Sequence, residues 1–98
     1  MRTYAHRVDA HQAETVELLR AAGYAVAVTS RLGGGFPDLV VGKGTQVWLV
    51  ELKERGKNLT PAEQQFHESW ASRARPVLIA RDPFGLLRYL QAQTGRRL

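Results

Sequence analysis

Apolar residues recur along the chain at two different spacings, which separate helical from extended segments. Over residues 10–22 they recur every three or four positions, with Val16 and Leu19 among them, as on the buried face of a helix. Asp9 directly precedes this segment, and Gln12 lies three positions after Asp9, which is the spacing of a helix capping box. We therefore predict a first helix over residues 10–22 that begins at Asp9.

Four later segments have the length and composition of strands. Residues 24–30 are rich in small and β-branched side chains, and residues 37–42 and 46–53 flank a tight turn at 42–45, which predicts a hairpin. Residues 76–81 form a continuous apolar run, which predicts a fourth strand buried on both faces.

Two more helices complete the predicted order of elements. Thr60 followed by Pro61, with Glu63 three positions after Thr60, is typical of a capping box with proline in the first turn, and predicts a helix that ends near Ser72. Residues 83–94 have helical spacing again. The order α-β-β-β-α-β-α predicts a single α/β domain over residues 1–98, with a mixed sheet flanked by helices and a helical crossover between strands three and four.

The composition narrows the partners that the protein can bind. Fourteen Lys and Arg against nine Asp and Glu give a net charge of +5, which favours a polyanion such as nucleic acid. The chain has no cysteine, which excludes disulfides and cysteine-bound zinc. It shows no apolar run long enough to span a bilayer and no signal peptide, so we expect a soluble, cytoplasmic protein without membrane contact.

Three charged residues occupy positions where strands are normally apolar. Because strand side chains alternate, Glu51 and Lys53 must point to the same face, and Asp38 begins the neighbouring strand. Two carboxylates suit Mg²⁺, which takes oxygen ligands, and Lys53 could orient or deprotonate an attacking water. By spacing alone, an equally good interpretation is a surface Glu51–Lys53 ion pair with Asp38 capping a turn after Pro37.

The same residues carry a resemblance to a known family. Gly35-Phe36-Pro37-Asp38, twelve intervening residues and Glu51-Leu52-Lys53 resemble the G-x-PD…E-x-K signature of the PD-(D/E)XK nuclease superfamily. The predicted order of elements resembles its restriction-endonuclease-like core. The chain is most similar to the small VRR-NUC type domains, which are often phage-associated and are similar in turn to Holliday junction resolvases. The resemblance covers residues 9–90.

The resemblance implies an endonuclease that depends on Mg²⁺ or Mn²⁺ and hydrolyses phosphodiester bonds in DNA. It implies that Asp38 and Glu51 bind the metal and that Lys53 is the catalytic lysine. It also implies a glutamate on the first helix that completes the metal site. Glu14 matches that position best, and Glu17 is the alternative.

The family also places a glutamine early in the helix after the glutamate-lysine strand. The segment "LTPAEQQFHESW" offers Gln64 as the catalytic candidate and Gln65 as the alternative, with Glu63 where some relatives have the glutamine. No histidine pair has the spacing of a helical metal site. We interpret His67 as a surface residue, with a place along the nucleic-acid groove as the alternative.

Loop glycines and basic residues are the candidate DNA contacts, because backbone amides and cationic side chains bind phosphates. We predict contacts from Arg31, Gly34, Gly35, Lys43, Arg55 and Lys57. The glycines at 33–35 do not match a nucleotide-binding loop, so no nucleotide cofactor is expected.

The predicted substrate is structured or branched DNA, such as a Holliday junction, because the chain has no evident separate element for reading base sequence. A branched junction requires two paired cuts, so we expect a homodimer in a bacterial or phage setting. The alternatives are a non-catalytic nucleic-acid-binding module and a nuclease subunit of a larger phage or repair complex.

Overall fold

The computed structural model describes the backbone of residues 3–94 and the side chains of residues 11–94. Three helices and four strands follow one another in the order that the sequence predicts. Their bounds are α1 Thr3–Ala21, β1 Ala25–Val28, β2 Leu39–Lys43, β3 Gln46–Leu52, α2 Pro61–Ala71, β4 Leu78–Ala80 and α3 Pro83–Thr94.

The strands form one mixed open sheet in the order β1-β2-β3-β4. β1 pairs with β2 and β2 with β3 in antiparallel fashion, whereas β3 and β4 are parallel and α2 connects them. The predicted hairpin and the predicted crossover are both confirmed. The chain is therefore a small α/β domain, and none of the helices within residues 3–94 is long and apolar enough to cross a membrane.

The two faces of the sheet differ sharply in how well they are covered. One face carries the core, in which strand residues pack against α1 and α3; its members include Leu19, Leu39, Val41, Trp48, Val50 and Leu90. Because side chains alternate along β3, Leu49 and Glu51 lie on the opposite face. α2 contacts that face, yet none of the eleven residues of α2 is buried. The second face is therefore only partly covered.

Two predictions about the elements are wrong. α1 begins at Thr3 and not at Asp9, because residues 3–8 contain no proline or glycine that would stop a helix from extending past a capping signal. The segment 76–81 is not buried on both faces, since β4 is a three-residue edge strand and Ile79 is 44% exposed.

The loop before β2 touches the start of α2 at one glycine. Gly35 has a φ of +82°, and a Cβ atom there would collide with the backbone carbonyl of Ala62. Gly34 also has a positive φ, +63°, but no atom lies within 4 Å of its Cβ position. Gly35 therefore serves close packing between this loop and α2, and a phosphate contact from its backbone stays a prediction.

We expect Gly35→Ala to destabilise the protein more than Gly34→Ala. Both substitutions force a Cβ into left-handed backbone, at about 1–2 kcal/mol each, but only the first also drives the loop from α2. Urea unfolding of the two variants measures the difference in unfolding free energy. Equal losses in the two variants would contradict a packing role for Gly35.

Candidate active site

A cleft of about 550 Å³ opens where β2 begins and β3 ends. Five parts of the chain line it, and most of the lining residues are polar. The lining residues include His11 and Gln12 from α1, Asp38 before β2, Glu51 and Lys53 at the end of β3, Lys57 and Asn58 from the following loop, and Glu63 from α2. The three charged residues singled out in the sequence thus meet in one cleft.

Asp38 is held in place by hydrogen bonds to neighbouring strands. Its Oδ2 accepts a hydrogen bond from the backbone N–H of Leu52 at 2.8 Å, which ties it to the end of β3. The Thr29 N–H donates to the Asp38 carbonyl at 2.8 Å, and the Thr29 hydroxyl donates to the Pro37 carbonyl at 2.8 Å. The carboxylate is therefore bonded across strands, which contradicts the interpretation of Asp38 as a local turn cap.

Glu51 is a buried carboxyl whose hydrogen-bonding capacity is not filled. It is only 2% exposed, and its Oε1 has no hydrogen-bond partner among the described residues. Burial, a hydrogen bond with Asp38 and the nearby charges of Asp38 and Glu63 raise the pKa of Glu51 to about 9, against an opposing effect of Lys53. Buried orphan acceptors are uncommon in native proteins, so this oxygen calls for a ligand or a donor.

Lys53 pairs with α2 and not with Glu51. Its Nζ lies 2.8 Å from Oε1 of Glu63, and its backbone N–H donates to the Ala80 carbonyl at 3.0 Å. The predicted surface ion pair between Glu51 and Lys53 is therefore not what the structure contains. The ammonium group is held at the wall of the cleft, with its side chain 16% exposed.

Glu63 is fixed by the cap of its own helix. Its Oε1 accepts from the Thr60 N–H at 2.9 Å, while its N–H donates to the Thr60 hydroxyl at 3.2 Å, which confirms the predicted capping box. Although burial raises the pKa of Glu63, the hydrogen bonds from Lys53 and Thr60 outweigh it and lower the pKa below its usual range. The negative charge opposite Lys53 is thus stably maintained.

His67 contacts Glu51, a role that the sequence did not suggest for it. Its Nε2 lies 3.5 Å from Oε1 of Glu51, with the His67 side chain 12% exposed, and burial lowers the pKa of its imidazole. The signal was present, because His67 follows Glu63 by four positions and residues four apart share a helix face.

The structure does not bring the predicted first-helix glutamate into the cleft. Glu14 and Glu17 are both exposed, and the cleft receives His11 and Gln12 instead. The phase of α1 is set by its buried positions, of which Thr15 is 1% exposed. Among the side chains of residues 11–94, no three His, Cys, Asp or Glu residues form a metal-binding group, so the three-acid site of Glu14, Asp38 and Glu51 is not assembled.

The predicted catalytic glutamine, Gln64, does not line the cleft, whereas the preceding residue, Glu63, does. Gln64 and Gln65 are exposed, and the Gln64 Nε2 donates to Glu68 at 3.3 Å. One residue changes the direction of a helical side chain by about 100°, so Glu63 takes the place in the cleft that the sequence assigned to Gln64.

The candidate DNA contacts are spread over the surface. Lys57 lines the cleft, and Arg55 lies exposed in the same loop. Arg81, which the sequence did not single out, donates to the carbonyls of Glu54 at 2.9 Å and Lys57 at 2.8 Å and so shapes this loop. Lys43 lies at the opposite end of β2 from the cleft, with its Nζ 4.9 Å from the centre of the Tyr24 ring.

Arg31 lies on a separate depression beside the cleft. That depression is lined by residues of α1 and of the loop after β1, including Gln12, Arg20 and Arg31. Because Gln12 lines both concavities, the depression that holds Arg31 adjoins the cleft. Gly34 is exposed in the same loop.

The donor set of the cleft fits a hard divalent cation. Asp38 and Glu51 supply carboxylate oxygens, and Gln12 supplies an amide. Mg²⁺ is usually held by one or two carboxylates together with water and phosphate oxygens, so a complete protein cage is not required.

Comparisons with protein-family models, with curated proteins and with solved structures found no match to this chain.

Proposed function

We propose that the protein is a metal-dependent endonuclease that hydrolyses phosphodiester bonds in DNA, with the restriction-endonuclease-like fold of the PD-(D/E)XK nucleases. The observation that carries this proposal is the meeting of the buried Glu51 with Asp38 and Lys53 in one open cleft. Burying carboxyl groups is unfavourable, and an ion pair with Lys53 does not account for Glu51 or Asp38, since Lys53 pairs with Glu63.

Four charged residues of the cleft have a role in this proposal. Asp38 and Glu51 hold Mg²⁺ or Mn²⁺; when bound, the ion supplies Lewis acidity and a more acidic coordinated water. Lys53 donates a hydrogen bond from its ammonium group to a phosphate oxygen or orients the attacking water, and so offsets the charge that grows on the phosphate. Glu63 keeps the Lys53 side chain directed along the cleft wall in the free protein.

The surface supports a nucleic-acid substrate recognised by its backbone and shape. The net charge is +5, and the acids Asp38, Glu51 and Glu63 lie in the cleft, so the remaining surface is more basic than the total indicates. Phosphate contacts position a protein on DNA without reading sequence. We therefore propose structured or branched DNA, such as a Holliday junction, as the substrate in the cytoplasm.

The test is cleavage of labelled duplex, flap and four-way junction DNA with Mg²⁺, Mn²⁺ or EDTA. We expect cleavage with either metal, none with EDTA, and the fastest cleavage on the junction. Binding of DNA without cleavage under every condition would favour the non-catalytic binding module. Activity that appears only when a phage or repair protein is added would favour a subunit of a larger complex.

We further propose that the nuclease acts as a homodimer, since paired cuts in a junction require two sites. Large apolar side chains on the described surface support self-association: Val47, Ile79, Phe84 and Tyr89 are 57%, 44%, 57% and 46% exposed. Sedimentation at micromolar concentration is expected to give twice the mass of 11.0 kDa. A single monomeric species would contradict the dimer.

A further inference from the structure

His67 and Glu51 face each other across the junction of α2 and the sheet. The Nε2 atom of His67 lies 3.5 Å from Oε1 of Glu51. Both atoms are fully buried, and neither has a hydrogen-bond partner among the described residues. Glu51 is the more deeply buried of the two, with its side chain 3% exposed.

The Nε2 atom of His67 and Oε1 of Glu51 are slightly too far apart for a strong hydrogen bond. A nitrogen–carboxylate bond has a length of about 2.7–2.9 Å, so a shift of well under 1 Å would satisfy both atoms at once. Hydrogen bonds in active sites are often long in the free protein and shorten when the site is loaded. α2 has no buried residue, so a small shift of this helix toward the sheet displaces no core side chain.

His67 lies beside Glu51 but outside the lining of the cleft. Glu51, Lys53 and Glu63 line the cleft, whereas His67 does not. Its Nε2 approaches a single oxygen of the Glu51 carboxyl, Oε1. A hydrogen bond from there would fix the orientation of the carboxylate and leave its second oxygen for a ligand in the cleft.

We propose that His67 is the positioning residue of Glu51: its neutral imidazole donates the Nε2 proton to Oε1 and holds the carboxylate in the orientation that binds the metal. This inference rests on the proposed nuclease function. Groups behind a metal ligand typically change metal affinity by about 10–100-fold when they are removed. α2 would then position both functional side chains at the end of β3: Glu63 pairs with Lys53, and His67 contacts Glu51.

The first test is Mg²⁺ binding by calorimetry without DNA. His67→Leu is expected to raise the Mg²⁺ dissociation constant by about tenfold or more. His67→Gln, whose amide nitrogen can donate from nearly the same place, is expected to restore most of the affinity. Ser69→Leu, an exposed site on the same helix, is the control and should bind Mg²⁺ as the wild type does.

Cleavage kinetics separate positioning from loss of the fold. His67→Leu should raise the Mg²⁺ concentration needed for half-maximal cleavage, and its cleavage rate at saturating Mg²⁺ should return to that of the wild type. Equal Mg²⁺ affinity in wild type and His67→Leu would overturn the positioning role. The positioning role would also be overturned if His67→Gln lost as much Mg²⁺ affinity as His67→Leu and both variants lost still more affinity for Mn²⁺. That result would make the imidazole a direct ligand of the metal.

Nitrogen NMR of the Mg²⁺-bound wild type without DNA provides a readout that does not depend on activity or on the variants folding. The proposal requires the neutral tautomer with the proton on Nε2 of His67. A proton on Nδ1 alone would contradict it. Wild-type protein that neither binds Mg²⁺ nor cleaves DNA overturns the nuclease function and this inference together, whereas Mg²⁺ binding unaffected by His67→Leu overturns only this inference.

Discussion

Lys53→Ala is expected to lower the rate of DNA cleavage by about a thousandfold while leaving Mg²⁺ binding nearly intact. Proton transfer and charge stabilisation by one side chain each contribute about 10²–10⁴-fold to a rate. The ammonium group of Lys53 lies in the same cleft as Asp38 and Glu51, where Glu63 holds it. Single-turnover cleavage with saturating DNA measures the rate, and calorimetry measures the metal affinity.

Arg88→Ala is the charge-matched control for this prediction. Arg88 is an exposed residue of α3, and α3 packs on the face of the sheet opposite to Glu51, so its loss removes the same charge without touching the site. Its single-turnover rate should stay within about threefold of the wild type. A comparable loss of rate in the two variants would show that the effect comes from net charge, and it would contradict a catalytic role for Lys53.

The second large effect concerns Glu51 and pH. Its pKa rises from 4.5 to about 9 in the folded protein, so between these values the unfolded chain loses the proton that the folded one keeps. The stabilisation from this proton is complete below pH 4.5 and is lost as the pH rises toward 9. In EDTA, we expect the free energy of unfolding of the wild type to fall by at least about 2 kcal/mol relative to Glu51→Gln between pH 5 and 8.

Mg²⁺ should counteract this loss in the wild type. Metal binding requires the ionised carboxylate and therefore releases a proton, so the stabilisation by Mg²⁺ should increase with pH. Glu51→Gln is neutral at every pH and should show neither the fall in EDTA nor the recovery in Mg²⁺. Urea unfolding at several pH values measures both effects, and parallel curves for the two proteins would contradict the raised pKa.

Strand periodicity was sufficient to predict the centre of the site. Side chains in a strand point to one face or the other, so Glu51 and Lys53 had to share a face once β3 was recognised. The hairpin turn then placed Asp38 beside Glu51, as the observed pairing of Leu39 with Val50 requires. A one-residue slip would have moved all of these groups to the core, which is why the register is well determined by the apolar pattern.

Helical positions were less predictable, because the rotation of a helix about its axis depends on packing. Glu14 matched the expected position along the chain, but the burial of Thr15 on α1 turns Glu14 to solvent. The same holds for Gln64 on α2, where the capping box directs Glu63 into the cleft. An error of one position is a rotation of about 100° in a helix, whereas the alternation of a strand makes such errors obvious.

His67 illustrates a different limit of sequence reasoning. Its spacing from Glu63 placed it on the correct helix face, but nothing in the sequence indicated that α2 would lie across the end of β3. That contact depends on the approach of Gly35 to Ala62 and on the pairing of Glu63 with Lys53. Both are tertiary contacts between segments separated in the chain.

The most direct test of the proposed function is the cleavage rate of a labelled four-way junction as a function of Mg²⁺ concentration, measured for the wild type and Asp38→Asn. Asp38→Asn keeps the size of the side chain and an acceptor for the Leu52 N–H but removes the charge that binds the cation. We predict saturable, Mg²⁺-dependent cleavage by the wild type and a loss of at least about a thousandfold in the variant. Equal rates for the two proteins, or no cleavage by either at any Mg²⁺ concentration, would contradict the proposed nuclease.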